Sequence, residues 1–394
     1  MQKILVICFD TPFPTNYGGV YDIAAKFDFY KKNNFKIDLI CSCFSKERLQ
    51  EFQKYVSENE TIINHFHVEL IQPNPINFLS KIPFSVKTRK FPFQQIEFLK
   101  NEKYAFVLVE HLKSTNGLND LIQIIGNQTN IYLRIHNDET AYYQNLFQAS
   151  HHLKRYFFLS ESIKYKNYQD EILNHKSIKG FLFISQTEME KLRPKIGKNK
   201  IQHLLPVYAD IQINPNESLK NIDFLYVGNL DLDDNLNALV KINSFLIQNQ
   251  FVEFKLKIVG KCSDEKRKMK IRNLFLKIEN VDFQFNVSDS ELKQNYENAK
   301  FFLNFSDNES GVKTKLIEAV SYGIPVISNR EGVEGSNLES VVLNDQKIDV
   351  NWLKSALYNA EIWNQYRVLY LESIADKMNW IHAKYDEFLK LNNL

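Results

Sequence analysis

FFLNFSDNESGVKTKLIEAVSYGIPVIS, residues 301–328, is the stretch from which the fold can be read. The apolar run over 301–305 predicts a strand. A helix is predicted to open near Gly311 and to close on Gly323, a C′ glycine just before Pro325. A second apolar run over 325–328 predicts the next strand. Strand, helix and strand in so short a space make the unit of a parallel sheet covered by helices. Lys313 and Lys315 fall in the first helical turns, where the helix dipole favours acids. Two cations in that place predict an anion at the helix start, with the amides of Gly311 and Val312 aimed at an incoming diphosphate. Glu318 lies on the same predicted face. Its carboxylate either accepts both hydroxyls of a ribose or pairs with Lys315.

Working outward, the same alternation fills the chain. Strands are predicted near 3–8, 36–41, 67–71, 105–109, 130–135 and 180–184, with helices near 20–33, 45–59, 93–99, 118–125, 139–175 and 188–193. A second series has strands near 224–227, 255–259 and 281–285 and then runs into the stretch quoted above. The class is α/β, with two doubly wound units. The expected division is a first domain over 1–205, a linker over 206–222, a second domain over 223–375 and a terminal helix over 376–394 packing back towards the first. The linker assignment rests on prolines and polar residues without periodicity.

Composition narrows the function. Hydrophobic residues make up 44% of the chain, enough for real cores, and 49 Lys+Arg against 47 Asp+Glu leave a net charge of +2. No global field draws this protein to nucleic acid, so any anion must be caught locally. The cysteines lack metal-ligand spacing; Cys41 and Cys43 read as free thiols in a reducing compartment. The apolar run at the N-terminus is too short for a signal peptide or a span, which predicts a cytoplasmic chain. Neither a G-x-G-x-x-G nor a Walker pattern occurs, which disfavours dinucleotide enzymes and P-loop hydrolases.

Gly18-Gly19 follows the first strand. It is either a tight turn or a set of bare amides suited to a phosphate or a sugar. His136 ends the strand at 130–135, where a ligand crevice of an open α/β sheet belongs. Two stretches, 78–93 and 151–158, interleave bases with aromatics. They read either as contacts to anionic lipid headgroups or as a solvated basic face with its aromatics buried.

With these residues in view, the sequence resembles the retaining glycosyltransferases of family four, the glycosyl transferases group 1. The resemblance runs through the Gly18-Gly19 turn, Phe224 to Leu230, Lys255 to Gly260, Val281 to Asp289, Gly311 to Ile327 and Arg330 to Gly335. It implies the GT-B architecture, two Rossmann-like domains facing across a cleft. It also implies that Gly311, Val312, Gly18 and Gly19 bind the donor diphosphate, that Glu318 binds the ribose and serves catalysis, and that His136 is catalytic beside the donor sugar. Many members have a Glu eight residues before the ribose Glu; Ser310 stands there, with Glu309 adjacent, in the donor-sugar vicinity. Many also carry an Arg and a Lys after the second-domain glycine, where this chain has Asn229 to Asn235. Lys313 and Lys315 are expected to supply that missing charge.

The implied activity is transfer of a hexose-type sugar from a UDP- or GDP-linked donor to a glycan or lipid-linked glycan. It needs neither metal nor cofactor and involves no nucleic acid, and peripheral contact with the membrane's cytoplasmic face is compatible with it. The alternatives are a nucleotide-sugar epimerase of the same architecture and a silent sugar-nucleotide-binding homologue acting as a partner subunit.

Overall fold

A computed structural model describes residues 2–15, 18–58, 62–150, 153–197, 200–205, 220–307 and 311–390. The chain divides into two compact units, Met1–Val207 with Ile381–Leu394, and Tyr208–Trp380. Most of the expected linker 206–222 lies outside the described residues, as do Asn16, Tyr17, His151, His152, Glu309 and Ser310.

The first unit holds β1 (Gln2–Cys8), β2 (Phe35–Cys43), β3 (Ile63–Leu70), β4 (Phe106–Glu110), β5 (Asn130–Ile135), β6 (Ile178–Phe183) and β7 (Ile201–His203). They form one 7-stranded sheet in the order β3-β2-β1-β4-β5-β6-β7, and every pairing is parallel. The second unit holds β8 (Ile222–Val227), β9 (Leu256–Gly260), β10 (Val281–Phe285), β11 (Ala299–Asn304), β12 (Val326–Ser328) and β13 (Leu343–Asn344). These make a 6-stranded parallel sheet in the order β10-β9-β8-β11-β12-β13.

Central strands covered on both faces read as unbroken apolar runs rather than alternating ones, and Ile4 to Cys8 are buried without exception. The first core gathers Leu5, Val107, Leu133 and Phe181 from the sheet with Leu121 and Tyr165 from helices. The second gathers Phe224, Tyr226, Ile258 and Leu303 with Leu239 and Ile242. At the end of β9, a Cβ on Gly260 would lie 1.8 Å from the Gly228 carbonyl oxygen, so only glycine permits that approach.

Both sheets wind outward in two directions from their first strand. Strand order reverses between β1 and β4, and between β8 and β11. The crevice beyond the C-terminal strand ends at such a switch point is where α/β sheets bind ligands. In the first unit that crevice follows Cys8, Glu110 and Ile135; in the second it follows Val227 and Asn304.

Several elements differ from their expected form. The single helix over 139–175 is two, Glu139–Ala149 and Lys154–Leu173, because Ser150 is extended at φ −97 and ψ 150. The helix over 93–99 is two short turns, Phe93–Gln95 and Phe98–Asn101. The helix expected to open near Gly311 is Thr314–Ser321, preceded by an extended Lys313 at φ −78 and ψ 108. Gly311 itself has φ 67, left-handed backbone that a helix cannot use and glycine adopts freely. At the other end Gly323 has φ 64, and its N–H reaches Val320 O while Ile324 N–H reaches Ala319 O. This is the paired-bond glycine stop, with Pro325 just beyond it. Among the described residues no helix is long and apolar enough to cross a membrane.

Candidate active site

In the second unit the site grows from the turn between β11 and the helix Thr314–Ser321. Gly311 and Val312 are buried there, their amides ahead of the first helical residue rather than within it. Lys313 Nζ donates back to the Gly311 carbonyl at 3.4 Å. Lys315 turns towards the end of β8. Its ammonium donates to Tyr226 Oη and Asn235 Oδ1, both at 3.1 Å, and stands 4.5 Å from the Tyr226 ring centroid.

The Lys315 side chain is half-buried, and among the described residues no carboxylate lies within ion-pair distance of it. Burial, reinforced by Lys313 and opposed by Asp234, pushes its pKa down to about 7. The Asn229-to-Asn235 loop is held by Asn235 Nδ2 donating to Asn229 O at 2.8 Å. The ammonium of Lys315 thus sits against the very loop that lacks a cation of its own. Two of that loop's three acids are engaged elsewhere, Asp233 with Arg267 at 2.7 Å and Asp231 with Ser263 N at 2.8 Å, while Asp234 acts on Lys315 without pairing with it.

Glu318 does not pair with Lys315. Its Oε2 accepts from Tyr296 Oη at 3.1 Å, and Tyr296 is fixed by stacking on Tyr322 at 4.9 Å. Burial raises the Glu318 pKa to about 7, against the pull of the Tyr296 hydrogen bond. The shared face expected for Gly311, Lys315 and Glu318 is therefore corrected in part. Gly311 precedes the helix, and the two side chains that follow it engage different neighbours.

In the first unit Gly18 and Gly19 open the helix Gly18–Lys32, whose next turns carry Asp22 and Lys26 under the sheet's C-terminal edge. There His136 is 5% exposed and its Nε2 donates to Glu110 Oε2 at 3.1 Å. Arg134 grips Asp22 through two bonds of 2.9 and 3.1 Å, and Lys26 bridges Asp22 and Glu110. Two buried cations thus balance two buried carboxylates. Burial would raise Asp22, yet Arg134 and Lys26 hold it well below the usual carboxylate range. Glu110 is also held low, by Lys26 and the His136 bond, despite its burial. Nε2–H is committed to Glu110, which leaves Nδ1 as the other polar atom of the ring. No described residue bonds to that nitrogen.

Asp22, Glu110 and His136 present ligand atoms within 4.8 Å of one another. Both carboxylates are already matched by Lys26 and Arg134, so a divalent cation would have to displace one of those partners.

His111 is a second buried histidine that the sequence reading passed over. It sits at φ 76 just after β4, and its Nδ1 accepts from Lys113 N at 3.1 Å. Its Nε2 then donates to Glu139 at 3.1 Å. Burial and Lys113 lower its pKa to about 3, against Glu139, so the ring is neutral. The rings of His111 and His136 lie 5.2 Å apart. Glu110 and Arg134, charges set within otherwise apolar strands, were the available signal, since a buried charge requires a partner.

Residues 221–348 match the family model described as glycosyl transferases group 1. A protein of Klebsiella pneumoniae described as an uncharacterized 44.6 kDa protein in the cps region is 27% identical over 362 residues, 88% of each chain. Anabaena HepE in complex with UDP and glucose superposes with a TM-score of 0.62 at 12% identity, covering 99% of this chain and 100% of HepE. The pneumococcal O-GlcNAc transferase GtfA, in complex with UDP and GlcNAc, gives a TM-score of 0.62 at 11% identity over 99% of both chains. The two parallel sheets and these likenesses agree: the chain has the fold of the GT-B glycosyltransferases, and its second unit carries a glycosyl transferases group 1 domain over residues 221–348.

Proposed function

We propose that the chain moves a hexose-type sugar from a UDP- or GDP-linked donor to a glycan or lipid-linked glycan in surface polysaccharide synthesis, with retention of configuration and without a metal. The observation that carries this reading is Lys315, a half-buried ammonium at the mouth of a helix, held by a tyrosine and an asparagine and matched by no described carboxylate. A dianionic diphosphate is the ligand that such a charge fits.

Breaking the sugar–phosphate bond leaves added negative charge on the departing diphosphate. Lys315, Lys313 and the amides of Gly311 and Val312 face where that charge grows, so they stabilise the transition state more than the ground state. In this reading the acceptor hydroxyl attacks from the leaving group's own face. Its oxygen bonds to the anomeric carbon, the carbon–phosphate oxygen bond breaks, and the hydroxyl proton passes to the departing phosphate. Glu318 accepts the ribose hydroxyls, and His136 acts at the donor sugar. Gly18 and Gly19 add amides to the donor diphosphate, while Glu309 and Ser310 belong to the donor-sugar vicinity.

The cps-region relative supports a polysaccharide pathway, and the UDP complexes of HepE and GtfA support a nucleotide-sugar donor. The enzyme would work in the cytoplasm, where donor and acceptor are both at hand. Acceptor-dependent release of UDP or GDP from a donor panel tests the reading. Release that requires acceptor and is lost in Lys313→Ala with Lys315→Ala supports it; a protein that binds donors yet releases nothing with any acceptor argues against transfer.

A further inference from the structure

One face of the first unit is apolar where water should meet it. On the helix Lys154–Leu173, Tyr156 and Ile163 are 63% and 58% exposed, and Leu153 just before it is 85% exposed. Positions 153, 156 and 163 fall on one side of a helix of 3.6 residues per turn, so they form a stripe on the side away from buried Phe158, Tyr165 and Ile172. The short turn Pro75–Leu79 lies alongside: Phe78 stacks on Phe84 at 4.1 Å and meets Phe157 edge-on at 5.4 Å, and Lys164 Nζ donates to Phe78 O at 2.8 Å. That turn adds Ile76 and Leu79, 70% and 87% exposed. Single exposed aliphatics are ordinary, but a contiguous group marks an interaction surface.

The charge beside Ile76, Leu79, Leu153 and Tyr156 is mostly basic, the helix's exposed acids being confined to its last turn, where Asp170 pairs with Lys195 and Glu171 follows it. Residues 72–92 contain no Asp or Glu but carry Lys81, Lys87 and Lys90 on the surface. Between 153 and 169 the one acid is Glu161, which is buried. Its oxygens are taken by Lys164 and by the Phe84 amide. Lys166 is exposed one turn after Ile163, and Lys154, exposed at the start of the helix, stands over the Phe158 ring at 5.4 Å. The sequence left two readings of these stretches open, and the structure divides them. The phenylalanines largely pack on one another, and the aliphatics and Tyr156 are what water sees.

We propose that this face docks on an anionic lipid bilayer, with Leu79, Ile76, Leu153 and Tyr156 dipping into the headgroup boundary and the lysines meeting acidic lipid headgroups. Apolar insertion combined with basic flanks is the chemistry of interfacial binding. A second copy of the chain is a poorer occupant, since a two-fold contact would set these lysines against one another. The inference is independent of the donor site, and its test reads no turnover.

The full chain is floated with vesicles of neutral phosphatidylcholine, or with vesicles in which roughly a third of the lipid is phosphatidylglycerol. The expected result is binding to the anionic vesicles that is at least about tenfold tighter than to neutral ones and weakens with salt. Leu79→Ser with Leu153→Ser should weaken it a further tenfold or more, by roughly the transfer free energy of the lost side chains. Lys81→Gln with Lys87→Gln should erase most of the anionic preference. Both replaced pairs are exposed, and unchanged melting temperatures will show that the variants fold. The proposal is overturned if the wild type ignores anionic vesicles, if the serine variant binds as the wild type does, or if the serine substitutions instead dissolve a dimer seen by light scattering.

Discussion

Burial and the neighbouring Lys313 bring the Lys315 pKa down to about 7, so near neutrality the free enzyme is a mixture of charged and uncharged forms. A bound diphosphate restores the charge. Donor binding therefore takes up a proton whenever the pH exceeds the free-state value, and affinity must fall as pH rises. The expected slope is up to about tenfold in Kd for each pH unit above about 7. Its ceiling follows from the charge pair: an ammonium and a phosphate about 4 Å apart at an effective dielectric near 20 attract by about 4 kcal/mol, about a thousandfold in Kd. An intact nucleotide sugar is the right ligand, because a diphosphate esterified at both ends keeps a constant charge across this range. Calorimetry in two buffers of different ionisation enthalpy yields both the Kd and the proton uptake. Lys315→Arg, a cation at every accessible pH, should flatten the profile. Lys315→Met should bind at lower pH as weakly as the wild type does at high pH. A wild-type Kd unchanged between about pH 6 and about pH 9, or a Met variant that binds normally, would refute the reasoning.

The acid side of the same titration tests Glu318, whose pKa is raised to about 7. Affinity should fall as its carboxylate takes up a proton, and Glu318→Gln should flatten that limb at a cost of about 1.5–3 kcal/mol in binding. His136→Ala should lower kcat by about a hundredfold with donor affinity little changed, measured by initial rates and direct binding. Asp22→Asn leaves Arg134 and Lys26 short of a buried anion and should cost about 3–5 kcal/mol in urea unfolding. Because the Asp22 pKa is depressed in the folded state, its contribution should be complete above about pH 4 and be lost as pH falls through the lower folded-state value. Turnover should survive a chelator, and a strict requirement for added divalent ions in a rate assay would contradict the metal-free mechanism.

Both parallel sheets were legible in the sequence because short, largely apolar runs such as Ile4 to Cys8 alternate with longer amphipathic segments along the whole chain. β7 and β13 were not, since strands of 3 and 2 residues carry no periodicity. The helix stop at Gly323 could be read from glycine and proline spacing, whereas its start could not. Gly311 and Lys313 look like helix openers, and only the backbone reveals a left-handed turn followed by an extended residue. Ser150 breaks a helix whose apolar pattern runs on either side of it.

The site divides in the same way. Lys313, Lys315, Glu318 and His136 stood out locally, as charges or a histidine where the element pattern did not ask for them. Their partners did not, because the pairing is long-range. Arg134 meets Asp22 across 112 positions of sequence, and Lys315 meets Tyr226 across 89. Glu110 and Lys26 acquire meaning once β1, β4 and β5 are adjacent and the helix after β1 lies beneath them. No pattern along the chain encodes that arrangement.

A crystal of the protein grown with UDP or GDP answers the principal question in one measurement. The diphosphate should lie within hydrogen-bonding reach of Lys315 Nζ and of the Gly311 or Val312 amide, with the ribose on Glu318. A nucleotide held elsewhere, with Lys315 still resting on Tyr226 and Asn235, would contradict the account.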